Sequence, residues 1–424
     1  MDLQDRRRGA LARALARKLG EQAPLEIGGA GESSDAEWSV LDDPQAFESS
    51  IEKALSQSGR IVEERTEAPG LLAALLALPV SERETAVVLE PRYQSYTLAS
   101  YTLERCSKAV FHDPALAREL ARLARAIVLQ TDPWSCGGSA ALADLEVYAL
   151  AMEANALRLA GELRQSLTLF LEARDLQERG GADPDLAART DLLEASLRRD
   201  LRQFPAALSL LSRAESMFSA LRDGEQTART LINRANLFLE THDLDRAVAT
   251  LKRALPFAQD PWLALCVRHN LISALAGCGH AREAAELYEQ SRSFYLQSSD
   301  PATASRRIWM EGLIARELGE DLDTARIKLA EAAESLARHG YSFEAALAGL
   351  DLVAVYAKQG DSAEVLRVAL RLLNLFQMHD VHPEALAALR MVQEAAEREA
   401  VNLAVVSRAA DMVRANQVRD DLTA

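Results

Sequence analysis

Two cysteines and two histidines that lie close together in the sequence are the residues best suited to bind a metal ion. Cys266, His269, Cys278 and His280 form the pattern C-x2-H-x8-C-x-H, and thiolate and imidazole groups are preferred zinc ligands. The spacing corresponds to no zinc module, since Cys266 and His269 share a helix face whereas the other two residues flank a turn. Because small buried thiols and ordinary polar residues account for this pattern, we predict no metal site.

The sequence carries no motif for catalysis. A second histidine pair, His379 and His382, stands just before Pro383, which starts a new helix, so the two rings need not converge. There is no GxSxG elbow, HExxH pair, Walker A loop or strand-linked GxGxxG loop. We therefore expect a protein that is not an enzyme and needs no cofactor. The alternative, an unrecognised hydrolase or transferase within residues 38–135, predicts turnover without the rest of the chain.

Charge argues against nucleic acid and membrane partners. The 424 residues include 48 basic and 63 acidic side chains, a net charge of −15 at pH 7. Such a balance repels phosphate backbones and anionic lipid surfaces unless a basic patch is segregated. Only six of the 48 basic residues are lysines, a bias that indicates a GC-rich, bacterial genome.

Cysteine usage and hydropathy favour a cytoplasmic location. The four cysteines form no CxxC pair and no dense disulfide framework. Arg13, Arg17 and Lys18 interrupt the stretch in which a signal peptide would need apolar residues. The most apolar stretch, residues 70–80, is far shorter than the roughly 20 residues that a membrane-spanning helix needs.

Helix signals run along most of the chain, and strand signals are missing. Asp-Pro pairs at residues 43–44 and 113–114 combine a helix N-cap with a first-turn proline. No sustained alternation of apolar and polar residues occurs. The fold class is therefore all-α, with residues 1–37 as a flexible tail and linker and residues 38–135 as an N-terminal helical region that includes one candidate divergent repeat.

A unit of helix, short turn and helix recurs six times within residues 136–380. The turns are marked by residues separated by 41, 40, 37, 40 and 41 positions, namely Gly161, Arg202, His242, Gly279, Gly319 and Gly360. A lone helix pair cannot bury its apolar face, so such units must stack on their neighbours.

Small residues recur at matching positions in these units. The first helix carries a small residue at its centre, in Ala154, Ala195, Ala235 and Gly312. The second helix opens with Ser166, Ala207, Ala247, Ala284 and Ala325. These segments resemble tetratricopeptide repeats (TPRs), and residues 234–255 resemble them best. The resemblance is not complete, because the period exceeds the usual period of about 34 residues.

The resemblance implies a right-handed α-solenoid whose concave face is built mainly by the first helices of the units. Residues 381–424 then form two C-terminal helices that cap the stack. In this frame the second and twelfth residues of each first helix point into the groove. Six of these twelve positions are arginines, and the frame adds an amide, an imidazole and an indole. The candidate partner-binding residues are Arg158, Arg189, Arg199, Arg229, Asn236, His269, Arg306, Trp309 and Arg316.

Guanidinium groups suit carboxylates, so an acidic segment is one partner that this groove would fit. Arginines that pair with acidic neighbours on their own helix faces are the alternative. We predict a non-catalytic scaffold or adaptor that binds a protein or peptide in the groove. The second hypothesis is a sensory or regulatory module of a bacterial signalling or transcription-control system that acts with a partner in trans. The identity of the partner and the oligomeric state stay open.

Overall fold

The computed structural model describes residues 62–110, 113–136, 138–177, 183–298, 300–319, 321–378, 392–393 and 403–414. Over these ranges the chain is helical and contains no strand, so the all-α prediction is confirmed. The predicted tail and linker, the helix expected after Asp43 and the pair His379 and His382 lie outside the described residues.

The first of two compact units contains, among the described residues, 62–104 and 123–136. It comprises α1 (residues 62–77), α2 (Val80–Leu89), the 3-10 turns Pro91–Tyr93 and Pro133–Ser135, the first part of α3 (Tyr96–Ala109) and the last part of α4 (Pro114–Gln130). Its core includes Leu75, Val87 and Leu98, all fully buried. The Arg83 guanidinium donates hydrogen bonds to the carbonyls of Leu76 and Leu78 at 2.6 and 2.9 Å, which caps the end of α1.

The second unit contains residues 105–122 and the described part of the chain from residue 138 onward. Asp113 caps α4, since its carboxylate accepts a hydrogen bond from the backbone N–H of Leu116 at 2.9 Å. The helices that follow are α5 (Ser139–Leu159), α6 (Leu163–Gln177), α7 (Pro184–Asp200), α8 (Phe204–Leu221), α9 (Gly224–Glu240), α10 (Leu244–Ala254), α11 (Pro261–Gly277), α12 (Ala281–Gln297), α13 (Pro301–Leu318), α14 (Leu322–Arg338), α15 (Ser342–Gln359), α16 (Ser362–Met378) and α17 (Leu403–Arg414).

From α5 to α16 the helices form six consecutive hairpins. We call the first helix of each hairpin an A helix (α5, α7, α9, α11, α13 and α15) and the second a B helix (α6, α8, α10, α12, α14 and α16). Each helix packs on the next, and each A helix also contacts the A helix of the following hairpin. This sequential packing is that of an α-solenoid, as the repeat pattern predicts.

Small residues allow the two helices of a hairpin to approach closely. Ala154, Ala195 and Ala235 on the A helices are fully buried at the crossings. At Gly312 the approach is closer still, because a Cβ atom placed there would lie 2.8 Å from Cγ of Leu329 on α14. The B helices contribute small residues that are equally buried, namely Ser166, Ala207, Ala247, Ala284 and Ala325.

The turns within the hairpins share one backbone conformation. All six turn residues identified in the sequence have positive φ, and two of them, Arg202 (φ 60°) and His242 (φ 56°), are not glycine. A residue with positive φ ends the A helix and redirects the chain into the B helix. Glycine adopts this conformation without strain, so the turns at Arg202 and His242 bear a small conformational cost that the flanking packing offsets.

Candidate partner-binding cavity

A cavity of about 450 Å³ opens along the A helices of the last four hairpins. We call it the A-helix cavity. Its walls come from α9, α11, α13 and α15, with single contributions from the B helices α10 and α12, and α17 closes part of it. It has both apolar and polar walls, as pockets for peptide side chains do.

Five of the nine candidate residues lie together in this cavity. Asn236 is on α9, His269 on α11, and Arg306, Trp309 and Arg316 on α13. Their helices belong to three successive hairpins, so residues up to 80 positions apart in the sequence are brought to one site. The other four candidates do not line the cavity.

The two arginines of the cavity are held by carboxylates of the next hairpin. Arg306 donates from Nε and Nη2 to the two oxygens of Glu344, at 2.8 and 2.6 Å. Arg316 donates to Asp351 at 2.5 Å and to Glu317 at 2.7 Å. These carboxylates neutralise most of the positive charge of each guanidinium group, so the group attracts an anionic ligand only weakly.

The indole of Trp309 belongs to the same network. Its Nε1 donates a hydrogen bond to the second oxygen of Asp351, at 2.7 Å, and the ring is almost fully buried. Asp351 therefore fixes both Trp309 and Arg316 from α15. These contacts fix the indole in the cavity wall and join α13 to α15.

Arg158 and Arg199 belong to a buried charge cluster between the earlier A helices. Arg158 is completely enclosed, and it donates to Asp200 at 2.7 Å and to Asn155 at 3.0 Å. Arg199 lies 3.4 Å from Asp200 and 3.5 Å from Glu240. Arg158 is therefore out of reach of any partner in this structure, and we leave it out of the proposed site.

Arg189 and Arg229 are the most exposed of the candidate arginines, each with about a third of its side chain accessible. Each pairs with an acidic residue one turn earlier on its own helix, Arg189 with Asp185 at 2.7 Å and Arg229 with Glu225 at 3.0 Å. Such i, i+4 pairs are worth only a few tenths of a kcal/mol, so these pairs alone do not hold the two side chains in place.

The carboxylates were not among the residues selected from the sequence. In three pairs that join successive A helices, the acid follows its arginine by about one repeat: Asp200 follows Arg158 by 42 residues, Glu344 follows Arg306 by 38 and Asp351 follows Arg316 by 35. An acid about one period downstream of an arginine is thus the sequence signal that would have found them.

Negative charge is in excess on the cavity wall. Four carboxylates, Glu240, Glu317, Glu344 and Asp351, face two guanidinium groups. Burial raises the pKa of Glu240 to about 7, with Asp200 adding to this increase and Arg199 and Arg202 opposing it. Near neutral pH the Glu240 carboxyl is therefore partly protonated, and a nearby cation would favour its charged form.

An aromatic group forms another part of the wall. His269 Nδ1 lies 3.1 Å from the Tyr295 hydroxyl, and the imidazole ring meets the rings of Tyr295 and Trp309 edge-on. Burial, together with the positive charge of Arg306, lowers the pKa of His269 to about 3. The imidazole is therefore neutral at physiological pH and acts as a polar aromatic surface.

Two amides stand side by side on neighbouring A helices. Asn270 Nδ2 donates to Asn236 Oδ1 at 3.2 Å, and both side chains are half-buried in the cavity wall. Each amide keeps donor and acceptor capacity beyond this one bond. The sequence-based choice of groove positions included His269 but not Asn270, which directly follows it.

The cysteine and histidine pattern does not assemble into a metal site. Cys266 and His269 line the cavity, whereas the nearest polar contact of Cys278 is Asp245, and His280 precedes the first residue of α12. Among the described residues, no group of three or more cysteine, histidine or acidic side chains is arranged to hold a metal ion. Burial raises the pKa of the Cys266 thiol to about 11, so the thiol is not an activated nucleophile.

Fold and cavity together define the class of the protein, an all-α solenoid of helical hairpins with a binding-sized cavity on its A helices. Residues 186–260 match the family model for the tetratricopeptide repeat. The chain thus contains tetratricopeptide repeats over residues 186–260. Proteins of this fold are in general interaction scaffolds rather than enzymes.

A solved structure, that of a Rap protein complexed with competence and sporulation factor, is similar to this chain. The TM-score is 0.55 at 14% sequence identity, and the match covers 76% of this chain and 87% of that one. At this identity the likeness concerns the fold alone. No curated protein sequence matches the chain. Among the described helices, none is long and apolar enough to cross a membrane.

Proposed function

We propose that the chain is a non-catalytic scaffold or adaptor that binds a protein or peptide partner in the A-helix cavity. The observation that carries this proposal is the convergence of Asn236, His269, Arg306, Trp309 and Arg316 from three hairpins on one cavity of about 450 Å³. Repeat proteins use the surfaces that their stacked helices line for binding, and pockets of a few hundred Å³ hold one or two side chains of a ligand.

The partner meets this wall with neutral or cationic groups rather than with an acidic segment. Arg306 and Arg316 already bind carboxylates of this chain, and the wall carries more carboxylates than guanidinium groups. An acidic ligand would have to displace an internal carboxylate, which would then lie half-buried without a counter-ion. A lysine or arginine side chain of the partner would instead be attracted by the carboxylates of the wall.

The paired amides supply the contact with the partner's backbone. A peptide group offers one donor and one acceptor, and an asparagine amide matches both. Asn236 and Asn270 stand next to the aromatic wall, so they would hold the backbone of an extended segment while its side chains enter the cavity. The binding mode is thus backbone capture by amides with side-chain selection by the cavity.

A selection of random peptides on the purified full chain tests this function. The affinity of the best synthetic peptide would be measured for the unmodified chain and for the double variant Asn236→Ala/Asn270→Ala. Loss of two hydrogen bonds of about 1 kcal/mol each weakens binding by roughly tenfold or more. Asn233→Ala is the matched control, since Asn233 is half-buried on α9 and bonds only to the backbone of its own helix, at Arg229. The proposal is contradicted if the double variant and Asn233→Ala weaken peptide binding equally, or if neither of them weakens it.

A regulatory module that acts in trans is the second candidate function. It is favoured by the fold shared with a Rap protein that was solved with competence and sporulation factor bound. In this case a ligand in the cavity would change the surface offered to a second protein. Hydrogen exchange with and without the selected peptide separates the two functions. An adaptor gains protection only on α9 to α15, whereas a regulator also changes exchange on α3 to α6.

A further inference from the structure

The C-terminal helix α17 packs against an A helix, and it does so in the cavity. Val406, Ser407 and Ala410 of α17 line the same space as Leu347 and Leu350 of α15. The end of the chain thus occupies part of the surface that we assign to the partner.

The attachment of α17 is apolar. Among its described side chains Val406, Ala409 and Ala410 are buried on one helix face, and the partly buried Met412 packs against the same core. Arg408, the one charged residue of α17 whose side chain is described, is exposed and pairs with no described residue. A helix of 12 residues has little stability on its own, so α17 depends on this contact.

The contacts between the hairpins themselves are of a different kind. The helices α13 and α15 are joined by Arg306 to Glu344, by Arg316 to Asp351 and by the indole of Trp309. Separating them would leave charged groups half-buried without partners, which is strongly disfavoured. Lifting α17 away would expose, among its described side chains, a valine, two alanines and a methionine that is already partly exposed, and would leave no charged group unpaired.

We propose that α17 is a displaceable cover of the A-helix cavity, and that the partner and α17 compete for the surface of α15. The competition rests on the proposed function, whereas the displaceable cover can be tested without any partner. The chain would then exist in a covered state and in an open state, and partner binding would select the open one.

Hydrogen exchange of the unmodified full chain gives the first test. If α17 opens locally, its backbone amides exchange at least about tenfold faster than the central amides of α13 and α15 under the same conditions. Equal protection of all three helices would mean that α17 leaves only when the whole array unfolds, which would overturn the proposal.

The second test uses a matched pair of alanines on α17. Ala410 is buried against the repeats and Ala404 is exposed, so Ala410→Asp releases the helix whereas Ala404→Asp does not. The reporter is Cys266, which lines the cavity, and its maleimide labelling would be followed by mass spectrometry with Cys278, which lies outside the cavity lining, as the internal reference. We expect labelling of Cys266 to accelerate by about fivefold or more in Ala410→Asp alone.

An unchanged labelling rate of Cys266 in a folded Ala410→Asp variant would show that α17 does not cover the cavity and would overturn the proposal. A peptide selected on the unmodified chain gives the competition arm: it should bind Ala410→Asp severalfold more tightly and Ala404→Asp as it binds the parent. Weaker binding to Ala410→Asp would contradict competition and make α17 part of the binding site. Failure to select any peptide would count against the proposed function, while the exchange and labelling arms would still decide whether α17 is a cover.

Discussion

The first two hairpins (α5–α8) and the last four (α9–α16) have the same architecture but different interiors. Among the described residues, α9–α16 share one continuous apolar core, whereas the apolar side chains of α5–α8 are divided into small separate clusters. Buried charges stand between these clusters, among them Arg158, Asp191 and Glu194. Among the described residues, the buried charges of the later hairpins, Glu344 and Asp351, lie instead on the wall of the A-helix cavity. The same repeat pattern thus produces two hairpins with a charged interior and four hairpins with a cavity.

The charges in the early hairpins are shared between several partners. Asp191 accepts hydrogen bonds from Arg174 at 2.7 Å and from Arg213 at 2.5 Å, and Glu194 accepts from Arg174 and Arg198. Because a shift between the helices would leave a buried charge without a counter-ion, such a network favours one register between neighbouring helices. Buried ion pairs thus fix the geometry of the early hairpins, whereas the later hairpins combine an apolar core with room for a ligand.

The largest effect is expected from removing the charge of Asp200. The substitution Asp200→Asn leaves the Arg158 guanidinium fully buried without a counter-ion, which should lower the free energy of unfolding by about 3–5 kcal/mol. Urea denaturation followed by circular dichroism would measure it. Glu225→Gln breaks an exposed ion pair with Arg229 and is the matched control, with an expected change below about 0.5 kcal/mol. Similar small changes in both variants would refute the idea that the early hairpins depend on buried charge.

A second variant addresses packing in the later hairpins. Alanine fits the helix crossing in the early hairpins, at Ala154 and Ala195, but at Gly312 an added methyl group would meet Leu329. We expect Gly312→Ala to lower the free energy of unfolding by about 1–3 kcal/mol. Gly70→Ala, in a helix with open space around that position, should instead raise stability by up to about 1 kcal/mol. Thermal unfolding of both variants would show whether the signs differ as predicted.

The pH dependence of stability tests the border between the two regions, where Glu240 of α9 meets Arg199 and Asp200 of α7. The pKa of Glu240 is about 7 in the folded chain, against an ordinary value of 4.5 once the chain unfolds, so the folded chain binds more protons between these values. Stability therefore falls as pH rises from about 5 to 8, and this contribution should amount to about 2–3 kcal/mol. Denaturation of Glu240→Gln across this range should show a flatter pH profile than the parent; an identical profile would refute the assignment.

The smallest effect is expected at His269, with the opposite sign. Its pKa falls from 6.5 to about 3 on folding, so the unfolded chain binds more protons between these values. Stability contributed by the neutral ring is present above pH 6.5 and is lost as pH falls toward 3, by about 2 kcal/mol at pH 5. In His269→Phe this loss between pH 7 and 5 should disappear. If the variant and the parent lose equal stability on acidification, the ring is not held neutral by its surroundings.

The helices and their packing could be predicted from the sequence, because close crossings restrict side-chain size. Ala154, Ala195 and Ala235 recur for this reason, and all of them are buried where the two helices of a hairpin cross. The six turn residues were equally visible, since the chain must reverse between the helices of each hairpin. Local and repeated constraints of this kind leave a periodic trace in the sequence.

The same pattern could not predict which arginines would be enclosed between the helices and which would line a cavity. Arg158 and Arg316 occupy equivalent positions near the ends of their A helices, yet one is enclosed in the stack and the other lines a cavity. The difference depends on which acid the following hairpin supplies and on how far neighbouring A helices separate. The position of α17 in the cavity depends likewise on contacts made far along the chain, which no local pattern records.

Photo-crosslinking shows whether a partner peptide binds in the A-helix cavity. A peptide selected on the full chain, carrying a benzophenone side chain at its centre, would be crosslinked and the attachment points mapped by mass spectrometry. Binding in the A-helix cavity predicts attachment to wall residues such as Leu239, Cys266 and Leu347, and competition by unlabelled peptide should remove it. Attachment confined to the B helices or to α1 and α2 would contradict binding in the A-helix cavity.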